Sequence, residues 1–185
     1  MKSLILLAAI TSAFSAESWP QFRGANASGV SQSPTAPLRW NGEKGENILW
    51  KTPIPGLGLS SPIIHGNRIY VTSAISSDSS AKVKHGLYGS TEPHADTSKH
   101  QWKLFAIDRK TGKIAWEQTA AEGAPKTKRH PKATQANCTP ATDGNYIVAY
   151  FGSEGLYTYT AAGKLAWKKD LGVVNAGWLD RKSVV

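Results

Sequence analysis

Apolar and polar residues alternate with a period of two along several short runs of this chain. In residues 104–116, Leu104, Ala106 and Asp108 alternate with Phe105 and Ile107, which predicts a strand. A tight turn follows at residues 108–112, then a return strand that reaches Trp116. The Asp108 side chain can accept a hydrogen bond from the backbone two residues on, and Gly112 can take a positive φ at little steric cost. The pattern recurs at residues 156–167, where Gly163, Lys164, Ala166 and Trp167 stand for Gly112, Lys113, Ala115 and Trp116. The second turn is one residue shorter, with Thr160 in the place of Asp108.

A separate stretch repeats in the same order. Pro62, Gly66, Asn67 and Ile69 of residues 61–71 match Pro140, Gly144, Asn145 and Ile147 of residues 139–149. Two independent repeats in one order argue for a repeat architecture. The alternation and the turn residues predict strands at 48–52, 61–64, 68–74, 102–108, 113–119, 139–142, 146–151, 156–160 and 164–169. Gly66-Asn67 and Asp143-Gly144 are hairpin turns. Four short strands in a unit of about 50 residues are the signature of a propeller blade. The fold class is therefore all-β: a β-propeller of four-stranded blades, truncated to about two blades plus one strand. The strand at Trp50 reads as the outer strand of the last blade, closing the ring.

The flanks read differently. Residues 1–16 carry Lys2, an apolar run at residues 4–10 and small residues at 12–16, the pattern of a secretory signal peptide. The apolar run is too short to span a bilayer. Residues 17–47 are rich in Pro, Gly and Ser and predict an ordered strap anchored by burial of Trp19, Phe22 and Trp40. Residues 48–179 hold the partial propeller. Residues 180–185 resemble the in-frame translation of a sequencing adapter, so a non-native tail is expected there. The localisation that follows is periplasmic or secreted.

Composition narrows the chemistry. The chain has 185 residues, 40% hydrophobic and 19% charged, which excludes a disordered chain. Its single cysteine, Cys138, excludes an internal disulfide framework and reads as a small apolar side chain. The net charge is +9, with the densest basic run at residues 126–132. That run reads as a solvated loop, because no aromatic side chain is interleaved to stack bases, and specific nucleic-acid binding is not expected. His85, His94 and His100 fall in a polar interruption of the repeat; their spacing fits no strong zinc signature, and they read as solvated loop histidines. No residue is assigned a catalytic, cofactor-binding or metal role.

Ala106, Asp108, Thr111, Gly112, Lys113 and Trp116 resemble, position for position, the tryptophan-docking motif of pyrroloquinoline quinone (PQQ)-like propellers. The second copy keeps Gly163, Lys164 and Trp167, and the opening residues 19–24 are similar to those of secreted bacterial quinoprotein-like repeat proteins. The resemblance implies a structural role for the motif: the Trp docks between blades, and Thr and Gly shape the turn. Many members of that family bind no quinone. The resemblance also implies that its dehydrogenases use Ca²⁺, a catalytic Asp and often a vicinal Cys pair, and this chain has no such pair. Two functions follow: an exported binding or scaffold module for a protein, peptide or glycan, or a PQQ- and Ca²⁺-dependent dehydrogenase whose catalytic residues lie in missing blades. A third, polyanion binding through residues 126–132, would show as a steep salt dependence.

Overall fold

The computed structural model describes residues 18–31, 36–83 and 96–173. Two four-stranded antiparallel sheets account for its regular structure. The first holds β1 (Ile63–His65), β2 (Arg68–Ser76), β3 (His100–Asp108) and β4 (Ile114–Gly123) in the order β1-β2-β3-β4. The second holds β5 (Ala141–Thr142), β6 (Tyr146–Tyr150), β7 (Leu156–Thr160) and β8 (Leu165–Lys169) in the equivalent order β5-β6-β7-β8. Each sheet is a meander, so every strand pairs with its neighbour in sequence, as a propeller blade requires. The predicted signal peptide and tail, and His85 and His94, lie outside the described residues.

Period-two burial explains why the sheets stack. In β6, Ile147 and Ala149 are buried while Tyr146, Val148 and Tyr150 are not. Ile147, Ala149, Tyr157 and Tyr159 of the second blade share one core with Tyr70, Ala74, Trp102, Leu104 and Ala106 of the first. Burial pushes the Tyr159 hydroxyl up to about 12, so it stays neutral in this core. Both sheets break register where the fourth strand joins the third, at Ala106/Ile107 and Thr158/Tyr159. A bulge at the same place in each blade strengthens the local twist and marks the two sheets as one repeated unit.

The structure departs from sequence expectation in the lead-in. Residues 48–52 form no strand, because no strand lies beside them among the described residues to complete a ladder. Instead, Trp50 and Thr52 attach by side chain to the turn between β3 and β4. The aromatic anchoring of the strap is also narrower than expected: Trp19 is half-buried, whereas Phe22 and Trp40 are exposed. Residues 57–60 continue the position of β1 alongside β2, with Leu57 paired antiparallel to Ala74. Gly56 and Gly58 allow that approach, since a Cβ on either would come within 2.5 Å of the carbonyl oxygens of Ala74 and Thr72.

Candidate functional site

The repeated turn is the first place where chemistry-bearing residues converge. Asp108 Oδ1 accepts bonds from the amides of Lys110 (3.1 Å) and Thr111 (2.9 Å) and from the Thr111 hydroxyl (3.0 Å). Its Oδ2 accepts from Asn67 Nδ2 (2.6 Å) and the Arg68 guanidinium (2.9 Å). Both carboxylate oxygens are therefore engaged in holding the turn and the adjacent hairpin. Hydrogen bonds from Thr111, above all its amide, hold the Asp108 carboxyl below the usual carboxylate range, with a smaller contribution from Arg68. The Gly112 amide closes the turn on the Asp108 carbonyl at 2.8 Å.

A tryptophan docks on each turn. The Trp50 ring lies so close to Gly112, at φ +71°, that a Cβ there would sit 2.5 Å from its ring. The Trp50 indole N–H donates to the Arg109 carbonyl at 3.0 Å. One blade on, the Trp116 ring covers Gly163, at φ +86°, where a Cβ would sit 2.9 Å away. The Trp116 indole N–H donates to the Ala161 carbonyl at 3.2 Å, and its ring lies 5.8 Å from that of Tyr70. The two contacts are the same device repeated, an indole laid on a glycine and fastened to a turn carbonyl. Trp167 is the third in the series and remains 48% exposed.

Two long connections meet beyond β2 and β3. Arg129, within the basic run, is buried rather than solvated. Its guanidinium donates to the carbonyls of Ala133 (2.9 Å) and Lys82 (3.1 Å), so it fastens the connection after β4 to the one after β2. Burial lowers its pKa and Asp96 acts against that shift. Lys126 and Lys128 of the same run are exposed, and Lys126 pairs with Asp170 at 3.4 Å. His100 is likewise buried, not a loop residue: it opens β3, pairs in register with Ser76 and Gly123, and faces Asp96 Oδ2 at 3.3 Å. Its Nδ1 donates to the Ser98 carbonyl at 2.9 Å. Cys138 is half-buried. Among the described residues no group of three or more His, Cys, Asp or Glu could hold a metal ion.

The inner edges of the blades form the third feature. Across the two sheets, the strands that approach most closely are β1 and β5. Trp19 pairs antiparallel with Ile64 on the edge of β1 away from β2, exchanging both backbone bonds at 2.8 Å. The Pro20 carbonyl then accepts the Thr142 amide of β5 at 2.9 Å. The strap thus crosses the innermost strands of both blades. Nothing in the sequence short of the Trp19-Pro20 pair signalled this contact, because its partners are backbone groups.

Two stacked four-stranded meanders joined by tryptophan docking define a β-propeller of the PQQ-like repeat class. The family model described as outer membrane protein assembly factor BamB matches residues 30–185, and the chain belongs to that family. None of the curated proteins matches it. Both Asp108 oxygens are taken by the turn and the adjacent hairpin, and the Trp50 and Trp116 rings lie on glycines.

Proposed function

We propose that this chain is the binding part of an exported envelope scaffold whose ligand is another protein, and that it is not a quinone dehydrogenase. The observation that carries this reading is that the chemistry-bearing positions of the repeated turn have structural tasks. Asp108, Thr111 and Gly112 build the turn, and Trp50 and Trp116 join neighbouring units. That leaves the motif explained without any cofactor. The family description, which names a factor in outer membrane protein assembly, supports a protein partner and an envelope location. The pattern at residues 1–16 supports export. Among the described residues, no helix is long and apolar enough to cross a membrane.

The test is photo-crosslinking in a Gram-negative host that expresses the protein with its leader. A photoreactive residue in place of exposed Lys128 or Tyr146 should trap discrete protein adducts in the envelope fraction. Adducts that are confined to the cytoplasm, or an envelope fraction with none, would refute the reading.

A further inference from the structure

The inner edges of β1 and β5 are a place where an extended polypeptide is already bound, and that polypeptide is the chain's own strap. Ile64 gives its amide to the Trp19 carbonyl and takes the Trp19 amide, both at 2.8 Å, and Thr142 gives its amide to the Pro20 carbonyl. Ser18 adds a bond from its hydroxyl to the Ile64 carbonyl at 3.2 Å. These are the bonds that an added strand makes with an open sheet edge.

The strap holds this position with little else. From Gln21 to Val30 only Gly24 is buried. Arg23, Asn26 and Ala27 all have positive φ, at 62°, 55° and 50°, a conformation that costs energy for any residue but glycine. Gly24 itself lies beneath the Trp19 ring, where a Cβ would come within 2.5 Å. Beside the strap runs an open groove of about 510 Å³, bounded by Pro20, Gln21 and Asn26 on one side and Thr142, Asp143 and Tyr146 on the other. The groove offers room for the side chains of a strand laid along the edge.

We propose that the inner edge formed by Ile64 and Thr142 is an acceptor site for an extended peptide segment of a partner protein, and that residues 18–29 are its resident, displaceable occupant. The proposal rests on the protein-binding reading above and names its site. The strap and the partner segment compete for the same main-chain groups. Apparent affinity for the partner is then reduced by the fraction of molecules whose strap is released.

Ser18 and His65 flank the Trp19–Ile64 pair, with Ser18 Oγ 3.4 Å from His65 Nδ1, so S18C/H65C provides a reversible disulfide lock. The probe is a fluorescent peptide with the sequence of residues 18–29, added to the full chain and followed by anisotropy. With the lock reduced, the peptide should bind, and oxidation should weaken binding at least about tenfold, because a strap that cannot leave makes the competent fraction small. W19A, which leaves both cysteine positions native, should instead tighten peptide binding and speed hydrogen exchange at the Ile64 amide. Equal binding by oxidised and reduced protein would overturn the proposal, as would W19A protein that exposes the Ile64 amide yet binds no peptide. Envelope adducts from Lys128 or Tyr146 that survive the oxidised lock would place the partner elsewhere while keeping the protein-binding reading. Loss of those adducts from unlocked protein would sink that reading instead.

Discussion

Replacing Trp116 with Ala removes the indole that, among the described residues, is hydrogen-bonded from the first blade to the turn of the second. A tryptophan deleted from a fully packed core costs about 3–5 kcal/mol. Trp116 is partly buried, so the loss should be smaller. Burying roughly two thirds of a side chain of ~200 Å² contributes about 3 kcal/mol at ~25 cal/mol/Å². The indole bond to the Ala161 carbonyl adds up to about 1 kcal/mol, because that carbonyl can turn to water once the ring has gone. The expected cost is therefore about 3–4 kcal/mol, read as a shift of the urea midpoint by far-ultraviolet circular dichroism. Gly163→Ala supplies the specific control. It forces a non-glycine residue to φ +86° and puts a methyl 2.9 Å from the Trp116 ring. In the Trp116→Ala background the collision is gone and only the backbone strain of about 1 kcal/mol remains. The double-mutant cycle should thus show a coupling of at least about 1 kcal/mol. A Trp116→Ala loss below about 1 kcal/mol, or additive behaviour of the pair, would refute the docking argument.

Trp167→Ala should cost less than Trp116→Ala, roughly 2 kcal/mol, because its ring is 48% exposed and covers no glycine among the described residues. Asp108→Ala should be destabilising at neutral pH, and the difference from the parent should vanish in acid. The folded carboxyl is held below its ordinary value, so its contribution is full above the unfolded pKa of about 3.9 and is lost as pH falls through the lower folded one; a pH series of urea midpoints checks this. Arg129→Met should cost about 2–3 kcal/mol by leaving buried carbonyls without their charged donor, with hydrogen exchange rising in residues 79–83 and 130–136 before the blade strands respond.

The blades were legible because their signals are local. Period-two alternation located β7 to the residue, and Asp108 and Gly112 announced a turn whose closing bonds, from Lys110, Thr111 and Gly112 to Asp108, fall within five residues. Boundaries drifted where pairing outran the pattern. β4 extends to Gly123 because β3 already begins at His100 and carries its partner with it. Residues 48–52 alternate like a strand, yet a strand also needs a neighbour, and Trp50 found a glycine instead. The basic run illustrates the limit of charge counting. Unlike exposed Lys128, Arg129 reaches the carbonyl of Lys82, a contact 47 residues away that no window of sequence contains. His100 was hidden in the same way, since its burial follows from a register with Ser76 and Gly123. The strap's contact with β1 and β5 is written in main-chain bonds, which leave no trace in side-chain identity.

The most direct test of the account asks whether the tryptophan-docking motif serves structure alone. The purified full-length protein is incubated with pyrroloquinoline quinone and Ca²⁺, freed of excess cofactor, and assayed for bound quinone by its absorbance and for alcohol- or sugar-dependent dye reduction. A structural motif in a protein-binding propeller predicts no stoichiometric quinone and no substrate-dependent reduction. One quinone retained per chain together with substrate-dependent turnover would contradict it.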